Sequence, residues 1–340
     1  MQLSIFKYMF KIPDLRKRII FTLSMFAVYR LGAAVPVPGV DLDAVQRLTE
    51  SGAQAGIYGL LNLFSGGALE TFSVFALGIM PYITSSIILQ LLTVVIPRLQ
   101  KLQEEGESGR KVITQWTRYV TVVLALLQST GLTYIFSRGS LTGGISLIPN
   151  YTPSRVGLIV LTMTAGTAFI MWLGELISQR GIGNGMSLII FASIISQLPA
   201  SFGGAYQVTA GQGRIGQFSV LVLMFFLMIV GIIYVEQGQR RIPIQFAKRV
   251  RGRKVMGGQS TYIPLKVNSA GVIPVIFATS VLFFPALIAT SLPQDNRVTA
   301  GIRNWIDVNL ANSQGTSWFY IFFLGMLIIF FTYFYTTIQF

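Results

Sequence analysis

Two six-residue strings in this chain are near-copies of each other: Gly78-Ile79-Met80-Pro81-Tyr82-Ile83 and Gly271-Val272-Ile273-Pro274-Val275-Ile276. Each begins with glycine, carries proline at its fourth position and has aliphatic residues at its second and sixth. Each also lies inside a long apolar stretch, where a proline costs about 3 kcal/mol or more unless neighbouring segments repair the backbone. The copies fall in the second and seventh predicted membrane crossings, an odd five steps apart, so they run through a bilayer in opposite directions. An inverted repeat with interrupted helices points to a passage or binding site near the midplane, the signature of a membrane transport device.

The crossings are read from apolar runs of about 17–25 residues. They fall at roughly 19–35, 72–96, 116–136, 154–177, 185–200, 217–235, 267–290 and 317–338. Hydrophobic residues make up 52% of the chain and charged residues 11%, which excludes an ordinary soluble domain of about 25% charge. The expected fold class is all-α, a polytopic membrane protein built on an inverted five-helix repeat. A first half over 1–200 holds five spans, and a second over 201–340 holds three. Lys7, Lys11, Arg16, Lys17 and Arg18 precede the first run as in a signal peptide. No small-residue cleavage pattern follows, and the run reads as a retained helix.

Charge sets the expected orientation. With the N-terminus in the cytoplasm, segments 1–18, 97–118, 178–184 and 237–266 hold nineteen Lys or Arg, against six in the opposite segments. Positive charge concentrates on the cytoplasmic side of membrane proteins, which places both the N-terminus and Phe340 inside. Segment 237–266 is exceptional, with Arg240, Arg241, Lys248, Arg249, Arg251, Arg253, Lys254 and Lys266. It reads either as a solvated loop drawn to anionic headgroups or as a docking site for an acidic partner or RNA phosphates.

The residues that are missing narrow the chemistry. The sequence has no histidine and no cysteine, which excludes Ser-His-Asp and Cys-His catalysis, histidine-ligated metals, thiolate sites and disulfides. It contains no G-x-x-x-x-G-K-[ST] string, and no cofactor is expected. Glu175 and Glu236 sit near cytoplasmic ends of spans, where the interface can solvate them. The span centres offer no carboxylate pair of the kind an ion-coupled transporter uses. Arg30 is the one basic residue within a span. Its long stem can snorkel to the outer interface or its head can meet a carbonyl, and a direct functional role is the alternative.

Between the first two spans, the apolar positions Ile57, Leu60, Leu61, Phe64 and Ala68 follow helical spacing. At about thirteen residues, 57–69 is too short to cross. It reads as a re-entrant helix, with an amphipathic helix on the outer surface as the alternative. Gly66-Gly67 gives it a flexible hinge, which suits a movable stopper.

Several strings in order along the chain carry a resemblance. They are Leu61-Asn62-Leu63-Phe64-Ser65-Gly66-Gly67-Ala68-Leu69, Phe75-Ala76-Leu77-Gly78-Ile79-Met80-Pro81-Tyr82-Ile83, Glu105-Gly106-Glu107-Ser108-Gly109-Arg110, Gly181-Ile182-Gly183-Asn184-Gly185-Met186-Ser187 and Gln259-Ser260-Thr261-Tyr262-Ile263-Pro264-Leu265-Lys266-Val267-Asn268. Asn268-Ser269-Ala270-Gly271-Val272-Ile273-Pro274 completes the set. Together they resemble the SecY family of protein-conducting channel subunits. The resemblance implies two inverted five-helix halves forming an hourglass that opens laterally toward lipid, with a plug helix on its outer side. The plug corresponds to Ile57, Leu60, Leu61, Phe64, Ser65, Gly66 and Gly67.

Of the six apolar side chains of the family's pore ring, five correspond to Ile79, Ile83, Met186, Ile190 and Ile276. An apolar constriction gates water and ions by dewetting and binds no passing peptide specifically. The lateral opening implies a seam between spans two and three and spans seven and eight, near which Thr84, Gln90, Gln128, Asn268 and Phe284 lie. Partner docking would fall to Arg240, Arg241, Lys248, Arg249, Arg251, Arg253 and Lys254.

The resemblance further implies the bacterial cytoplasmic membrane, with no covalent chemistry in this chain. Its expected partners are SecE, SecG, the SecA motor ATPase, the ribosome with its RNA, signal peptides and nascent chains, and membrane lipids. The family has ten spans and this sequence stops in the eighth, so a truncated or partial chain with an incomplete second repeat is expected. A small-molecule transporter is the rival class, and it requires a polar midplane site that these spans lack.

Overall fold

The computed structural model describes residues 12–41, 43–45, 47, 62–137, 147–148, 151–244, 249–251, 254–256, 261–291, 297–310 and 317–339. Prolines start many of its helices. Pro13 opens α1 (Pro13–Ala34), Pro81 sits in the first turn of α2 (Met80–Val95), and Pro97 opens α3 (Pro97–Glu104). Helix α4 (Glu107–Ser137) follows, and Pro153 then opens α5 (Pro153–Arg180). Proline lacks only a donor that the first turn leaves unpaired anyway, and its fixed φ suits a helix start. Next come α6 (Gly185–Gly211) and α7 (Ile215–Glu236). Beyond the extended segment described below are α8 (Ile273–Ser291), α9 (Arg297–Asn309) and α10 (Trp318–Gln339).

Among the described residues, α5, α6, α7 and Trp318–Thr337 are long and apolar enough to cross a membrane. Helices α2 and α3 meet that test only as a pair bent by 102°. The bend falls at Ile96, held extended (φ −101°, ψ 111°) because the following proline crowds its backbone.

Three expectations change. The second span, predicted over 72–96, is helical only from Met80. Sixteen residues at 1.5 Å each span about 24 Å, short of a hydrocarbon core of about 30 Å. Residues 66–79 instead form a chain of turns containing Gly66, Gly67, Phe72 and Gly78 at positive φ. The prolines of both repeated strings stand at the second position of a helix, so they begin helices and do not interrupt them. The basic segment contains two antiparallel ribbons: β1 (Gln239–Ile244) pairs with β4 (Thr261–Lys266), and β2 (Arg249–Arg251) pairs with β3 (Lys254–Met256). Pro243 and Pro264 are tolerated there because a two-stranded ribbon is all edge.

The chain divides into two compact units, Met1–Ser201 with Phe277–Met326, and Phe202–Ile276 with Leu327–Phe340. In the first, α4 packs between α2 and α5, and α1 packs on α5. One apolar cluster joins Leu69 and Phe72 to Leu132, Phe136, Ile159 and Met163. Phe72 meets Phe136 edge-on at 4.9 Å. In the second unit, Phe202 and Tyr206 near the end of α6 meet Phe225 and Phe218 of α7 edge-on at 5.2 and 5.4 Å.

Candidate functional site

The two repeated strings adopt the same local backbone. Gly78 (φ 56°) and Gly271 (φ 59°) are both left-handed, a conformation glycine takes without strain. A helix begins two residues later in each case. Ile79 therefore lies at the mouth of α2, and Ile83 follows one turn on. Ile79 is 2% exposed and Ile83 is half-buried.

Helix α6 presents the matching pair, Met186 and Ile190, four residues apart and hence on one face. Its start is fixed by Asn184, whose Oδ1 accepts from the Met186 amide at 3.0 Å. Gly174 and Gly185 let α5 and α6 approach closely. A Cβ on Gly185 would lie 2.0 Å from the Gly174 carbonyl oxygen, and one on Gly174 would lie 2.3 Å from Met186 Sδ. Ile79 and Met186 thus share a cluster with Tyr29, Phe75, Ile170, Leu173, Ile177 and Ile189, and Ile83 and Ile190 pack against it half-buried. Four of the five expected ring residues come together in this way. Ile276, 5% exposed, stands in the first turn of α8 in the other unit.

The expected plug is described from Asn62 onward, and Ile57, Leu60 and Leu61 lie outside the described residues. Residues 62–65 are helical, and turns follow. Asn62 ties this stretch into a knot: its Nδ2 donates to Glu70 Oε2 at 3.0 Å and its Oδ1 accepts from the Glu70 amide at 3.1 Å. Ser65 Oγ donates to the Asn62 carbonyl and accepts from the Leu69 amide. Ser65, Ala68, Leu69, Phe72 and Ser73 are all buried, unlike a helix lying on a surface. Phe64 is half-buried.

Gly66 and Gly67 serve a tight turn. Their φ angles are 68° and 85°, and a Cβ would lie 3.1 Å from Ser193 Cα at Gly66 and 2.1 Å from Gln197 Nε2 at Gly67. Two backbone bonds, Val37 amide to Phe72 carbonyl (3.0 Å) and Val74 amide to Val35 carbonyl (2.9 Å), hold the exit beside the end of α1.

Arg30 meets a carbonyl, that of Gly66, at 3.0 Å, and also Ser196 Oγ at 2.9 Å. Glu175 differs from expectation: it forms a two-pronged pair with Arg118 of α4, at 2.7 Å from Nε and 2.6 Å from Nη2. Such fork-to-carboxylate geometry is strong and directional.

Each expected seam residue has its own local surroundings. Thr84 is buried and bonds back to the Met80 carbonyl within its own helix, Gln90 is exposed, and Gln128 is buried. Asn268 caps the Gly271 turn through Oδ1 (3.1 Å), and its Nδ2 reaches Glu236 at 3.4 Å. Phe284 is described only as part of α8. Hydroxyls also join neighbouring helices: Ser85 with Thr121 joins α2 to α4, and Ser129 with Thr164 joins α4 to α5. Serines and threonines at helical spacing are the only sequence signal for these contacts.

In the basic segment Arg240 and Arg241 stand on β1, and the Arg241 guanidinium stacks over Tyr262 at 4.7 Å. Arg249, Arg251 and Lys254 are described only as strand backbone, and Lys248 and Arg253 fall outside the described residues.

The family model named SecY matches residues 73–340. The chain belongs to the SecY family. SecY is a family of membrane channel subunits, not of enzymes. Among curated SecY proteins, the protein translocase subunit of Streptomyces coelicolor is 50% identical over 99% of this chain and 77% of its own length. That of Corynebacterium glutamicum is 48% identical over 97% of this chain and 75% of its own.

Solved structures share the SecY fold at low identity. A protein-conducting channel superposes with a TM-score of 0.53 at 17% identity, over 81% of this chain and 58% of its own. The yeast Ssh1 complex on the 80S ribosome gives 0.59 at 18%, over 82% and 60%. The chain thus spans about three-quarters of the curated SecY relatives and somewhat under two-thirds of these solved chains.

Proposed function

We propose that this chain lines a channel carrying unfolded polypeptides across the bacterial cytoplasmic membrane and releasing apolar segments sideways into lipid. Ile79, Ile83, Met186 and Ile190 form its apolar waist, and the buried knot 62–73 is its closing segment. The carrying observation is that helix starts remote in sequence bring these four side chains into one apolar cluster, beside the mouth of α2. Apolar constrictions shed water and so hold back ions, and they make no specific bond to a passing chain.

The N-terminus is cytoplasmic, as the Lys and Arg bias supports. The basic ribbons 239–266 then face the cytoplasm and dock the ribosome and the SecA motor. SecE and SecG accompany the chain in the membrane. Relatives of the same fold are named as a Sec61 ribosome–channel complex and an Ssh1 complex on the ribosome, which supports ribosome docking. The sideways opening involves Thr84, Gln90, Gln128, Asn268 and Phe284.

Ion conductance of the full-length channel in vesicles tests the waist. Ile83→Ser and Ile190→Ser should each raise the resting leak several-fold by wetting the constriction. Leak equal to wild type in both variants would remove these residues from the waist.

A further inference from the structure

We infer that Tyr29 and Arg30 of α1, with Ser193 and Ser196 of α6, form a latch that holds the closing segment in its seat, and that displacing α6 at the waist releases it. This rests on the reading of residues 62–73 as the closing segment. The Tyr29 hydroxyl donates to the Ser65 carbonyl at 2.9 Å and pairs with Ser193 Oγ at 2.7 Å. Ser193 Oγ also donates to the Ile189 carbonyl at 2.9 Å, so the phenol proton and the serine proton are shared among the Tyr29–Ser193 contact and the two carbonyls. Next along each chain, Arg30 Nη1 donates to the Gly66 carbonyl and to Ser196 Oγ. Two consecutive carbonyls at the tip of the knot are thereby held by two consecutive residues of α1, and each bond is shared with α6.

The clamp is geometrically demanding. Tyr29 is 1% exposed, and its ring lies parallel to Phe75 at 5.8 Å, so the hydroxyl is aimed rather than free to search. The glycine turn is a condition of the fit, because a Cβ on Gly66 would lie 3.1 Å from Ser193 Cα and 3.2 Å from both Ser193 Cβ and the Tyr29 hydroxyl. The opposite end of the knot stays attached to the end of α1 through the bridge of Pro36 with Ser73. The tip is thus held by side chains and the base by backbone pairing, the arrangement of a catch opposite a hinge.

The latch and the waist share one helix face. Ile190, Ser193 and Ser196 follow at intervals of three, with Met186 four residues before Ile190. Ser193 is thus about 4.5 Å along the axis from Ile190. A polypeptide that pushes Ile190 outward carries Ser193 and Ser196 with it, since a helix turn moves as a unit. Bonds of 2.7–3.0 Å are lost once their atoms separate beyond about 3.5 Å. Widening the waist and freeing the tip become one event.

A locked channel and an unlatched one test this. The chain has no cysteine of its own. Gly66→Cys with Ser193→Cys places two Cβ atoms 3.2 Å apart, a few tenths of an ångström inside the usual ~3.5–4.5 Å of a disulfide, so the turn at residue 66 must ease slightly for the bond to form. In the full-length channel complex, oxidation should form the bond and stop precursor import, and reduction should restore it. Tyr29→Phe keeps the stacked ring and should raise the resting ion leak about fivefold, about 1 kcal/mol on the scale of 1.4 per tenfold. Arg30→Met should raise it similarly, and Tyr29→Phe combined with Ser193→Ala should leak little more than Tyr29→Phe alone.

Failure of the disulfide to form, in a double-cysteine channel whose reduced form imports normally, would show that residue 66 does not rest against residue 193, and would overturn the latch. Undiminished import by the oxidised channel would overturn the closing-segment reading itself, and the latch with it. Import blocked by the disulfide but with wild-type leak in Tyr29→Phe and Arg30→Met would leave the closing segment standing and sink the latch alone.

Discussion

Arg118→Met should destabilise the packing of α4 on α5 by about 2 kcal/mol. The two contacts to Glu175, 2.7 and 2.6 Å, are those of a planar fork on a carboxylate, and Gln115 Oε1 takes a third donor at 2.8 Å. Exposed pairs contribute about 0.2–1 kcal/mol, whereas removing one partner of a fully buried pair costs about 3–5. Here the Glu175 side chain is 18% exposed and that of Arg118 38%, so the pair falls between those limits.

Arg118→Met strands the more covered charge. Glu175→Met strands the more exposed one, which can turn to solvent, and should cost about 1 kcal/mol. The double variant replaces both charges by apolar groups of similar volume and should lose only about 1 kcal/mol, leaving a coupling energy of about 2. Denaturant-driven unfolding in mixed micelles, followed by energy transfer between probes on α4 and α5, measures all four corners of this cycle. Additive single effects, each below about 0.5 kcal/mol, would refute an interhelical role for the pair.

Three further outcomes follow from other parts of the molecule. Ile79→Ala should cost about 2–4 kcal/mol of stability, as expected for a fully covered aliphatic, while Ile83→Ala at a half-buried position should cost about half as much in the same unfolding assay. Gly166→Ala should be strongly destabilising or fail to assemble, because the new Cβ would lie 2.0 Å from the Val74 carbonyl oxygen, a backbone atom that cannot turn aside. Reversing the charge of Arg240, Arg241 and Lys254 should weaken ribosome binding without altering folding. The salt dependence of that binding should become shallower in a titration, because fewer counterions are released.

The apolar helices were legible because run length is a local signal: the runs at 154–177, 217–235 and 317–338 fall within α5, α7 and α10 to about a residue, whereas the polar first turns after Pro13 and Pro97 carry no hydropathy signal. The second span was over-read for the same reason. Residues 72–79 are as apolar as a helix, yet left-handed Gly78 and the pairing of Ser73 with Pro36 hold them as turns, and neither feature has a hydropathy signature. The repeated strings share a left-handed glycine and a helix start, and their prolines begin helices where the sequence suggests interruption.

Arg30 and Glu175 show the limit most clearly. Each had a partner brought from far along the chain, a carbonyl at residue 66 and a guanidinium at residue 118, and composition cannot say which distant segment arrives. The hydroxyl pair joining α2 to α4 has no sequence signature, because Ser85 and Thr121 look like any other small polar residues in an apolar helix. The ribbons of the basic segment were hidden by Pro243 and Pro264, which argue against a strand wherever the strand would have two neighbours.

The central claim is that a polypeptide passes between α2 and α6 at the mouth marked by Ile79 and Met186. Site-specific photo-cross-linking measures this directly, with the probe placed in turn at positions 79, 83, 186 and 190 of the full-length channel holding a precursor stalled midway through import. Exposed positions 223 and 227 of α7 serve as references. The account predicts strong adducts to the precursor at the first four positions and only background at the references. Background at all four, with the precursor captured elsewhere, would contradict it.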